Sequence, residues 1–428
     1  MKDCKNAKTA WTEGVLKKSY KPYRGETQTD VVIVGGGITG VLCAYTLSKQ
    51  GKNVILLEKG NIGSGTTSYT TAFLTQSLDT NSLDLIKTFG KKKATDIVVS
   101  HGKAIELIEN IIKEEKIDCE FSRCSNYIYA NFAKDIKSLE SEYDACKKLG
   151  LDTTLVKNGS TLGFSNEGYI EIKNQAKFHP LKFVHSITEK AVSYGALICE
   201  QSEVVKIQKQ SNGQEKVTTA NGSIIADYVI VATYNPFDNP LSLYFKKGPY
   251  LSYVIELMVK DMNLEEGTYE DIENPYHYMR VDKMANEYRV ILGGEDHRKE
   301  FPINKTKNFN ALIEYADSII PKLNRTIVKK WVGTILEPIA PLAFIGRITE
   351  RNVLYNVAFS GNGMTYAGIT AMICMDIIND TKNPWVELYN PRRNLQLKSI
   401  IMKGKDYAEE FFHGALKNIF TQNKKPKS

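Results

Sequence analysis

The stretch Asp30-Val31-Val32-Ile33-Val34-Gly35-Gly36-Gly37-Ile38-Thr39-Gly40 is an apolar strand that runs directly into a Gly-x-Gly-x-x-Gly turn. The small and apolar residues 41–47 that follow are typical of a helix packed on a sheet. A second apolar strand, residues 54–57, is followed by Glu58. Together these elements predict a βαβ unit that binds a dinucleotide, because a helix N-terminus offers unpaired N–H groups and a positive dipole end to phosphates.

Each part of this unit has a physical role. Gly35 allows the tight turn, Gly37 lets the backbone approach the pyrophosphate, and Gly40 lets the helix pack closely on the strand. Glu58, about 20 residues beyond the glycines, can accept hydrogen bonds from a ribose hydroxyl. The alternative is a plain glycine-rich loop, but the flanking strand and helix favour dinucleotide binding. An acidic residue at this place also argues against NADP, whose phosphorylated ribose requires an arginine.

The composition excludes several classes of protein. The chain has 428 residues, 42% hydrophobic and 25% charged, which suffices for two or three globular domains. The net charge of +7 comes from scattered lysines and arginines without a basic stripe, so nucleic acid is not an expected partner. The seven cysteines are an odd number, which does not indicate a disulfide framework, and no Cys/His group has zinc spacing, so no metal is expected.

Targeting and membrane signals are weak. Residues 1–25 are polar and basic, so we expect no secretory signal and a cytoplasmic location. The apolar run 31–47 is interrupted by glycines and fits a buried strand and helix better than a membrane span, so integral membrane association is not expected. Residues 400–420 are helical, basic and aromatic in pattern and could contact a membrane surface, although docking on the protein's own domain is the commoner arrangement.

Periodicity predicts the remaining elements. Residues 1–29 form a polar lead-in, and the loop 60–72 is rich in glycine and hydroxyl side chains that a ligand can use. Further helices are predicted over 83–117, 133–149, 181–194, 309–320 and 365–378. Strands are predicted over 126–131, 168–178, 196–199, 203–207, 228–233 and 354–358.

Four features in this order resemble one superfamily. They are the glycine turn, the loop Gly63-Ser64-Gly65-Thr66-Thr67, the strand 229–233 and the turn Gly361-Asn362-Gly363-Met364-Thr365 before a helix. This pattern, over about residues 28–390, resembles the FAD-dependent D-amino-acid oxidase, glycine oxidase and sarcosine oxidase superfamily. Segments 117–121, 175–182, 344–348 and 383–385 are similar to the branch that precedes a Rieske iron–sulfur domain. Neither Cys-x-His nor Cys-x-x-His occurs, so we expect no Rieske centre in this chain.

The resemblance implies an α/β fold with two discontinuous domains. A Rossmann-like FAD-binding domain would be built from residues 28–118, 166–238 and 336–390. An α+β substrate domain with a mixed, largely antiparallel sheet would be built from 119–165 and 239–335, with the flavin between the two. Residues 391–428 would form a C-terminal helix and a basic tail. The buried runs near residues 30, 55, 230 and 355 are typical of parallel strands, which agrees with this division.

The resemblance also implies which residues hold FAD. They are Gly35, Gly37, Ile38, Thr39, Gly40, Glu58, Lys59, Ser64, Gly65, Thr66, Thr67, Thr71, Val205, Ala232, Thr233, Gly346, Gly361, Asn362, Gly363, Met364 and Thr365. Tyr69 stands where some relatives attach the flavin through a histidine, so we expect non-covalent FAD. The helix N-terminus at 361–364 would stabilise negative charge on reduced flavin, and a plain glycine-rich connector is the alternative.

The implied chemistry is hydride transfer to FAD from the C–H beside the nitrogen of an amine or amino acid, which gives an imine. A carboxylate substrate requires an arginine, and Arg280, in a strand-like run, is the preferred candidate. Tyr278 is a candidate hydroxyl donor and His179 a candidate proton acceptor, with a structural role as the alternative for each. Further candidates are Arg298, Arg347, Tyr276 and Tyr366.

Three functional hypotheses stay open at this point. The first is an FAD-dependent amine or amino-acid oxidoreductase whose electron acceptor is oxygen or a carrier. Ile291 stands where oxygen-using relatives often have a lysine, which favours a dehydrogenase. The second is a flavin dehydrogenase of a hydroxy acid or polyol phosphate, and the third is a flavoprotein with a structural or partner-subunit role. Cys119 and Cys124 have the spacing of a disulfide-reductase pair, but two ordinary thiols are the preferred interpretation.

Overall fold

A computed structural model describes residues 8–157, 161–235, 247–298, 304–338 and 341–394. Over these ranges the strands form two sheets, one with eight strands and one with nine. The predicted C-terminal helix over 400–420 and the basic tail lie outside the described residues.

The first sheet is the Rossmann-like sheet that the glycine motif predicts. Its strand order is β16-β17-β10-β1-β2-β7, and pairing is parallel from β17 to β7. The two other strands, β8 and β9, attach to β10 through antiparallel pairs. The bounds are β1 Gly25–Val34, β2 Val54–Leu57, β7 Leu197–Cys199, β8 Val204–Lys209, β9 Glu215–Thr219, β10 Gly222–Val231, β16 Phe344–Arg347 and β17 Val353–Val357.

The second sheet has the order β15-β11-β14-β13-β12-β4-β6-β3, with β5 paired to β6. Every pair is antiparallel except β12 with β4, so the predicted mixed, largely antiparallel sheet is confirmed. The bounds are β3 Phe73–Leu74, β4 Ser122–Ala130, β5 Thr153–Lys157, β6 Gly168–Lys177, β11 Lys247–Val259, β12 Gly267–Asp271, β13 His277–Lys283, β14 Tyr288–Arg298 and β15 Arg325–Pro338.

The helices cover the sheets much as their periodicity predicts. Helix α1 packs between α4 and α6, and the predicted helix over 83–117 is α2, which bends at Gly90. The predicted helix over 133–149 is shorter, because residues 133–135 form a separate 3-10 turn. The bounds are α1 Ile38–Lys49, α2 Ser82–Glu115, α3 Ile136–Leu149, α4 Pro180–Ser193, α5 Lys305–Ile319, α6 Gly363–Ile378 and α7 Val386–Tyr389.

Two strands lie in a different sheet from the one that the predicted domain limits imply. Strands β3 and β6 fall within 28–118 and 166–238, the ranges expected for the FAD-binding domain, yet both belong to the second sheet. The reason is pairing, because β6 is hydrogen-bonded along its length to β4, from Lys177 opposite Ser122 to Gly168 opposite Ala130. We therefore assign β3 and β6 to the substrate-side layer in the domain division that we propose.

The N-terminal segment, predicted to be a polar lead-in, also contributes a buried side chain. Trp11 is fully buried, and its Nε1–H donates to the carbonyl of Thr70 over 2.6 Å. The guanidinium groups of Arg280 and Arg289 lie 4.9 and 5.2 Å from the ring centre. Such cation–π contacts are stronger when they are buried, so this segment ties the loop after β2 to the second sheet.

A buried ion cluster underlies Trp11. Asp282 accepts from Arg280 Nε at 2.9 Å and Lys177 Nζ at 2.6 Å, and its other oxygen lies 2.8 Å from a terminal nitrogen of Arg289. Burial alone would raise the pKa of Asp282, but Arg280, Lys177 and Arg289 outweigh it and hold the pKa well below its usual range. A carboxylate shared by three cations in this way joins β6, β13 and β14.

We predict that Asp282→Asn lowers the free energy of unfolding by about 3 kcal/mol at neutral pH, because it leaves buried cations unpaired. The folded-state pKa is lowered, so the stabilisation is present above the unfolded-state pKa of about 4 and is lost as the pH falls from there. Urea denaturation at several pH values measures both effects. The exposed Asp144→Asn is the control, and equal stability of the two variants would contradict the prediction.

Candidate active site

The glycine turn is held between β1, β10 and α1 by contacts that leave no room for a side chain. Gly35 has a φ of +111°, and a Cβ built on it would lie 2.7 Å from the carbonyl oxygen of Ala232. A Cβ on Gly40 would lie 1.9 Å from the carbonyl oxygen of Gly35. Only glycine fits at either position, so the backbone conformation of the glycine turn and of the first helical turn of α1 is fixed.

The N-terminus of α1 has the features that a bound diphosphate needs. Gly37 precedes the helix without a side-chain cap, and Ile38 N–H donates to the hydroxyl of Thr67 at 3.2 Å. The Glu58 carboxylate accepts from Gly36 N–H at 2.6 Å and from Gly60 N–H at 2.7 Å, which holds it beside the turn. Each carboxylate oxygen can accept a further bond, so these residues fit the phosphates and ribose of FAD.

Several of the predicted cofactor residues meet at this turn. The 3-10 turn Thr66–Ser68 follows Ser64 and Gly65 and brings Thr67 to the start of α1, while Ala232 and Thr233 lie against Gly35. Val205 is on β8 with 58% of its surface exposed, and Lys59 is also exposed. Gly346 lies on the edge strand β16, against Pro391.

The late turn meets a segment that the sequence analysis did not identify. Gly361 N–H donates to Asp79 at 2.7 Å, and the Asn362 side chain accepts from Asp79 N–H at 3.2 Å. Thr365 at the start of α6 accepts from Thr75 N–H at 3.2 Å. Residues 75–79 follow β3, so they bring the 361–365 turn against the loop that continues from the dinucleotide site. Their sequence signal was weak, because Asp79 lies in an ordinary polar stretch.

Arg280 has structural partners. It is 1% exposed, its Nε is bonded to Asp282, and one terminal nitrogen donates to the carbonyls of Phe178, Thr71 and Ala72 at 2.8 to 3.3 Å. A guanidinium bonded in this way links the second sheet to the loop after β2. These contacts disfavour the predicted role of Arg280 in binding a substrate carboxylate.

The two other candidate arginines are also engaged. Arg298 donates to the Tyr250 hydroxyl at 3.0 Å, and Arg347 lies 5.7 Å from the ring centre of Tyr228 and bonds to Asn352. Ile291 is fully buried. Cys119 and Cys124 are free, and burial raises the pKa of their thiols to about 12 and about 11. A raised thiol pKa disfavours a redox pair, in line with the interpretation as ordinary thiols.

His179 is the N-cap of α4. Its Nδ1 accepts from Lys182 N–H at 3.2 Å, its ring lies edge-on to Trp11 at 5.1 Å, and Pro180 follows as the first helical residue. Burial lowers the pKa of His179 to about 4, so the imidazole is neutral at physiological pH. The contacts of this residue are those of a helix cap, the structural alternative to the predicted proton acceptor.

Tyr278, by contrast, is only partly buried. Its hydroxyl is bonded to Ser252 at 2.7 Å, and its ring contacts Phe73 at 6.2 Å and Tyr276 at 5.8 Å. Burial raises the pKa of Tyr278, and the nearby Asp296 adds to the effect, so the phenol stays protonated and can donate.

We define the acidic cleft by four carboxylates: Asp79, Glu270, Asp296 and Glu337. Asp79 and Glu337 line a pocket between the end of β15 and the late turn, and both are hydrogen-bonded to the hydroxyl of Ser360. Burial, with Glu337 and Asp79 nearby, raises the pKa of Asp296 to about 7 although this residue is exposed to solvent. Burial, followed by Asp79, raises the pKa of Glu270 to about 8.

The described residues lack two kinds of feature. They contain no group of three or more His, Cys, Asp or Glu side chains that could hold a metal ion. Within the same ranges, no helix is both long enough and apolar enough to cross a membrane.

We predict that the structural role of His179 can be separated from catalysis. His179→Asn keeps an N-cap acceptor and should retain both turnover and stability, whereas His179→Ala should lose about 1 kcal/mol of stability through the missing cap. Thermal denaturation and steady-state kinetics on the two variants measure this. A large fall in kcat for the asparagine variant, with its stability intact, would instead assign His179 to proton transfer.

A size series at Gly37 tests the dinucleotide site. A Cβ on Gly37 would lie 3.2 Å from the hydroxyl of Thr67, so Gly37→Ala needs a small shift, whereas Gly37→Leu would fill the approach to the α1 N-terminus. We expect flavin retention to fall from wild type to alanine to leucine while the protein still folds. The flavin-to-protein absorbance ratio and circular dichroism measure the two quantities, and a leucine variant as yellow as the wild type would refute the assignment.

Comparison with known proteins agrees with this geometry. The family model "DAO: FAD dependent oxidoreductase" matches residues 30–377. "Putative Rieske 2Fe-2S iron-sulfur protein YhfW" of Bacillus subtilis (strain 168) is 29% identical over 414 residues, 95% of this chain and 80% of the relative. "Gamma-glutamylputrescine oxidoreductase" of Escherichia coli (strain K12) is 23% identical over 377 residues, 82% of this chain and 83% of the relative.

A solved structure shows the same fold. The crystal structure of glycine oxidase from Geobacillus kaustophilus superposes with a TM-score of 0.74 at 19% identity, over 86% of this chain and all of the other. The family match spans most of the chain, from β1 to the end of α6, and includes the glycine turn and the late turn. This chain therefore belongs to the DAO family and is an FAD-dependent oxidoreductase.

Proposed function

We propose that this protein oxidises an amine or amino acid at the carbon beside its nitrogen, with non-covalently held FAD as the hydride acceptor. The observation that carries the proposal is the contact of the Ser252 hydroxyl with both the Tyr278 hydroxyl and the Asp296 carboxylate. The names of the gamma-glutamylputrescine oxidoreductase and glycine oxidase relatives support this class of reaction. When bound, FAD supplies a two-electron sink, and water then hydrolyses the resulting imine.

The residues proposed to hold FAD fall into two groups on the described chain. The glycine turn, Glu58 and the loop up to Thr71 would hold the dinucleotide part. The turn at 361–365 would present backbone N–H groups and the N-terminus of α6 to the flavin, where a positive dipole end favours negative charge. Tyr69 stands in place of a histidine that could form a covalent link, which supports non-covalent binding.

The side chains proposed to act on the substrate are Tyr278 and Asp296. An amine must lose its ammonium proton before hydride can leave the neighbouring carbon, and a carboxylate with a pKa near 7 accepts that proton better than an ordinary aspartate does. Ser252, which is bonded to Tyr278 and to Asp296, would hold the two groups in register. Arg280 and His179 are structural residues in this proposal.

The test is anaerobic reduction of the flavin. We expect at least one amine or amino acid to bleach the bound flavin, because the cleft supplies a proton acceptor beside the reacting nitrogen. Asp296→Asn should slow bleaching by about tenfold to a hundredfold, since general base catalysis contributes about that much or more. Bleaching by hydroxy acids or polyol phosphates alone would exclude the proposal and support the dehydrogenase of those substrates.

A further inference from the structure

The loop after β2 is anchored through four consecutive backbone carbonyls. We call residues 60–72 the cofactor loop, because they include several of the residues proposed to hold FAD. The carbonyls at 69 and 70 accept from the indole N–H groups of Trp331 at 3.0 Å and Trp11 at 2.6 Å. The next two carbonyls accept from Arg280 at 3.2 and 3.3 Å. This end of the loop cannot turn without losing those hydrogen bonds, which is costly for groups away from water.

The first described residues, 8–24, hold both ends of the cofactor loop, and we call them the N-terminal strap. Trp11 contacts the late end of the loop, as described above. At the early end, the Glu200 carboxylate accepts from Tyr20 N–H at 3.0 Å and from Ile62 N–H at 2.8 Å. The strap therefore runs along the loop in the opposite direction, with one anchor at each end.

The strap is also joined to both sheets, although its middle is exposed. Glu13 is paired with Lys329 of β15 at 3.1 Å, and Tyr23 N–H donates to the hydroxyl of Ser202, which follows β7, at 2.8 Å. Between these anchors, Leu16 is 93% exposed. A segment with few buried apolar contacts opens locally at a lower free energy than the whole domain unfolds.

Trp11 docks the strap at its N-terminal end. Its ring is fully buried between the carbonyl of Thr70, the edge of His179 and the guanidinium groups of Arg280 and Arg289. Opening the strap gives up all of these contacts at once, so they contribute directly to the free energy of opening. The family model begins at residue 30, so the strap is an addition to the part of the chain that this model describes.

We propose that the N-terminal strap is a latch on the cofactor loop, and that Trp11 is a positioning residue that sets the lifetime of the bound flavin. FAD enters and leaves when Trp11 leaves its buried site and the late end of the loop is released. The inference rests on the proposed placement of FAD against the cofactor loop and is independent of the proposed reaction. By linkage, bound FAD and the docked strap each stabilise the closed loop that the other requires.

Exchange of the bound flavin tests the latch and needs no substrate. Holoprotein is mixed with an excess of radiolabelled FAD, and the label bound to the protein is counted over time. Trp11→Phe keeps an aromatic ring and loses the N–H donor, so we expect exchange to be about tenfold faster. Trp11→Ala also loses the contacts with both guanidinium groups and with His179, and we expect an increase of about a hundredfold.

Two controls separate the latch from a general loss of stability. Leu16→Ala removes an exposed side chain of the strap and should leave the exchange rate unchanged. Leu312→Ala opens a cavity in the hydrophobic core of α5, apart from the core that contains Trp11. It should lower the thermal midpoint at least as much as Trp11→Phe does and should not speed up exchange.

Hydrogen exchange of the strap is an independent readout of the same coupling. If FAD and the docked strap stabilise one closed arrangement, backbone amides of residues 9–12 exchange faster after FAD is removed than in the holoprotein. Equal protection of these amides with and without FAD would contradict the latch.

The outcomes distinguish the latch from the proposed reaction. Wild-type exchange rates in both Trp11 variants would overturn the latch, and so would a Leu312→Ala variant that exchanges FAD as fast as Trp11→Phe. The phenylalanine variant keeps the test valid if the alanine variant does not fold. Either failure leaves amine oxidation standing, because bleaching is measured on flavin that stays bound. If the Trp11 variants exchange FAD in the predicted order and no amine or amino acid bleaches the flavin, the latch stands and the reaction class is wrong.

Discussion

The packing of α1 against β1 is the constraint on which the rest of the structure depends. A Cβ on Gly40 would lie 1.9 Å from the Gly35 carbonyl, and one on Gly35 would lie 2.7 Å from that of Ala232. Because these three elements approach at backbone distance, the N-terminus of α1 is held at the carboxyl ends of β1 and β10. That is where an open parallel sheet binds its ligand. Glu58 lies beside it because β2 is the next strand in the sheet.

A second constraint fixes the two sheets to one another. Trp11 lies between the loop after β2 and two guanidinium groups, and Asp282 holds those groups from the second sheet. The cluster is buried, so its charges are oriented and cannot be exchanged for solvent. The cluster affects function indirectly, because it fixes the position of β13. Tyr278 lies on the same strand, two residues before Arg280.

The charge of the cleft is as informative as its shape. Carboxylates come to it from the loop after β3, from β12, from β14 and from the end of β15, which are far apart in sequence. Burial, and after it the neighbouring carboxylates, raises the pKa of Asp296 and that of Glu270. Fold membership alone carries no such information, because one scaffold serves many substrates.

By itself, the sequence determined the first βαβ unit, because a glycine turn between strand and helix has few other uses and its residues are contiguous. The FAD cofactor and the family came from the resemblance that four sequence features in order carry. The sequence also predicted most helices and strands, since periodicity is local. Tertiary structure alone decided which side chains meet. It placed Arg280 and His179 in structural contacts and β3 and β6 in the second sheet, and it brought Asp79 and Glu337 to Ser360. Those contacts join residues up to 281 positions apart in the chain. No local sequence pattern predicts that carboxylates from such distant segments come together when the chain folds.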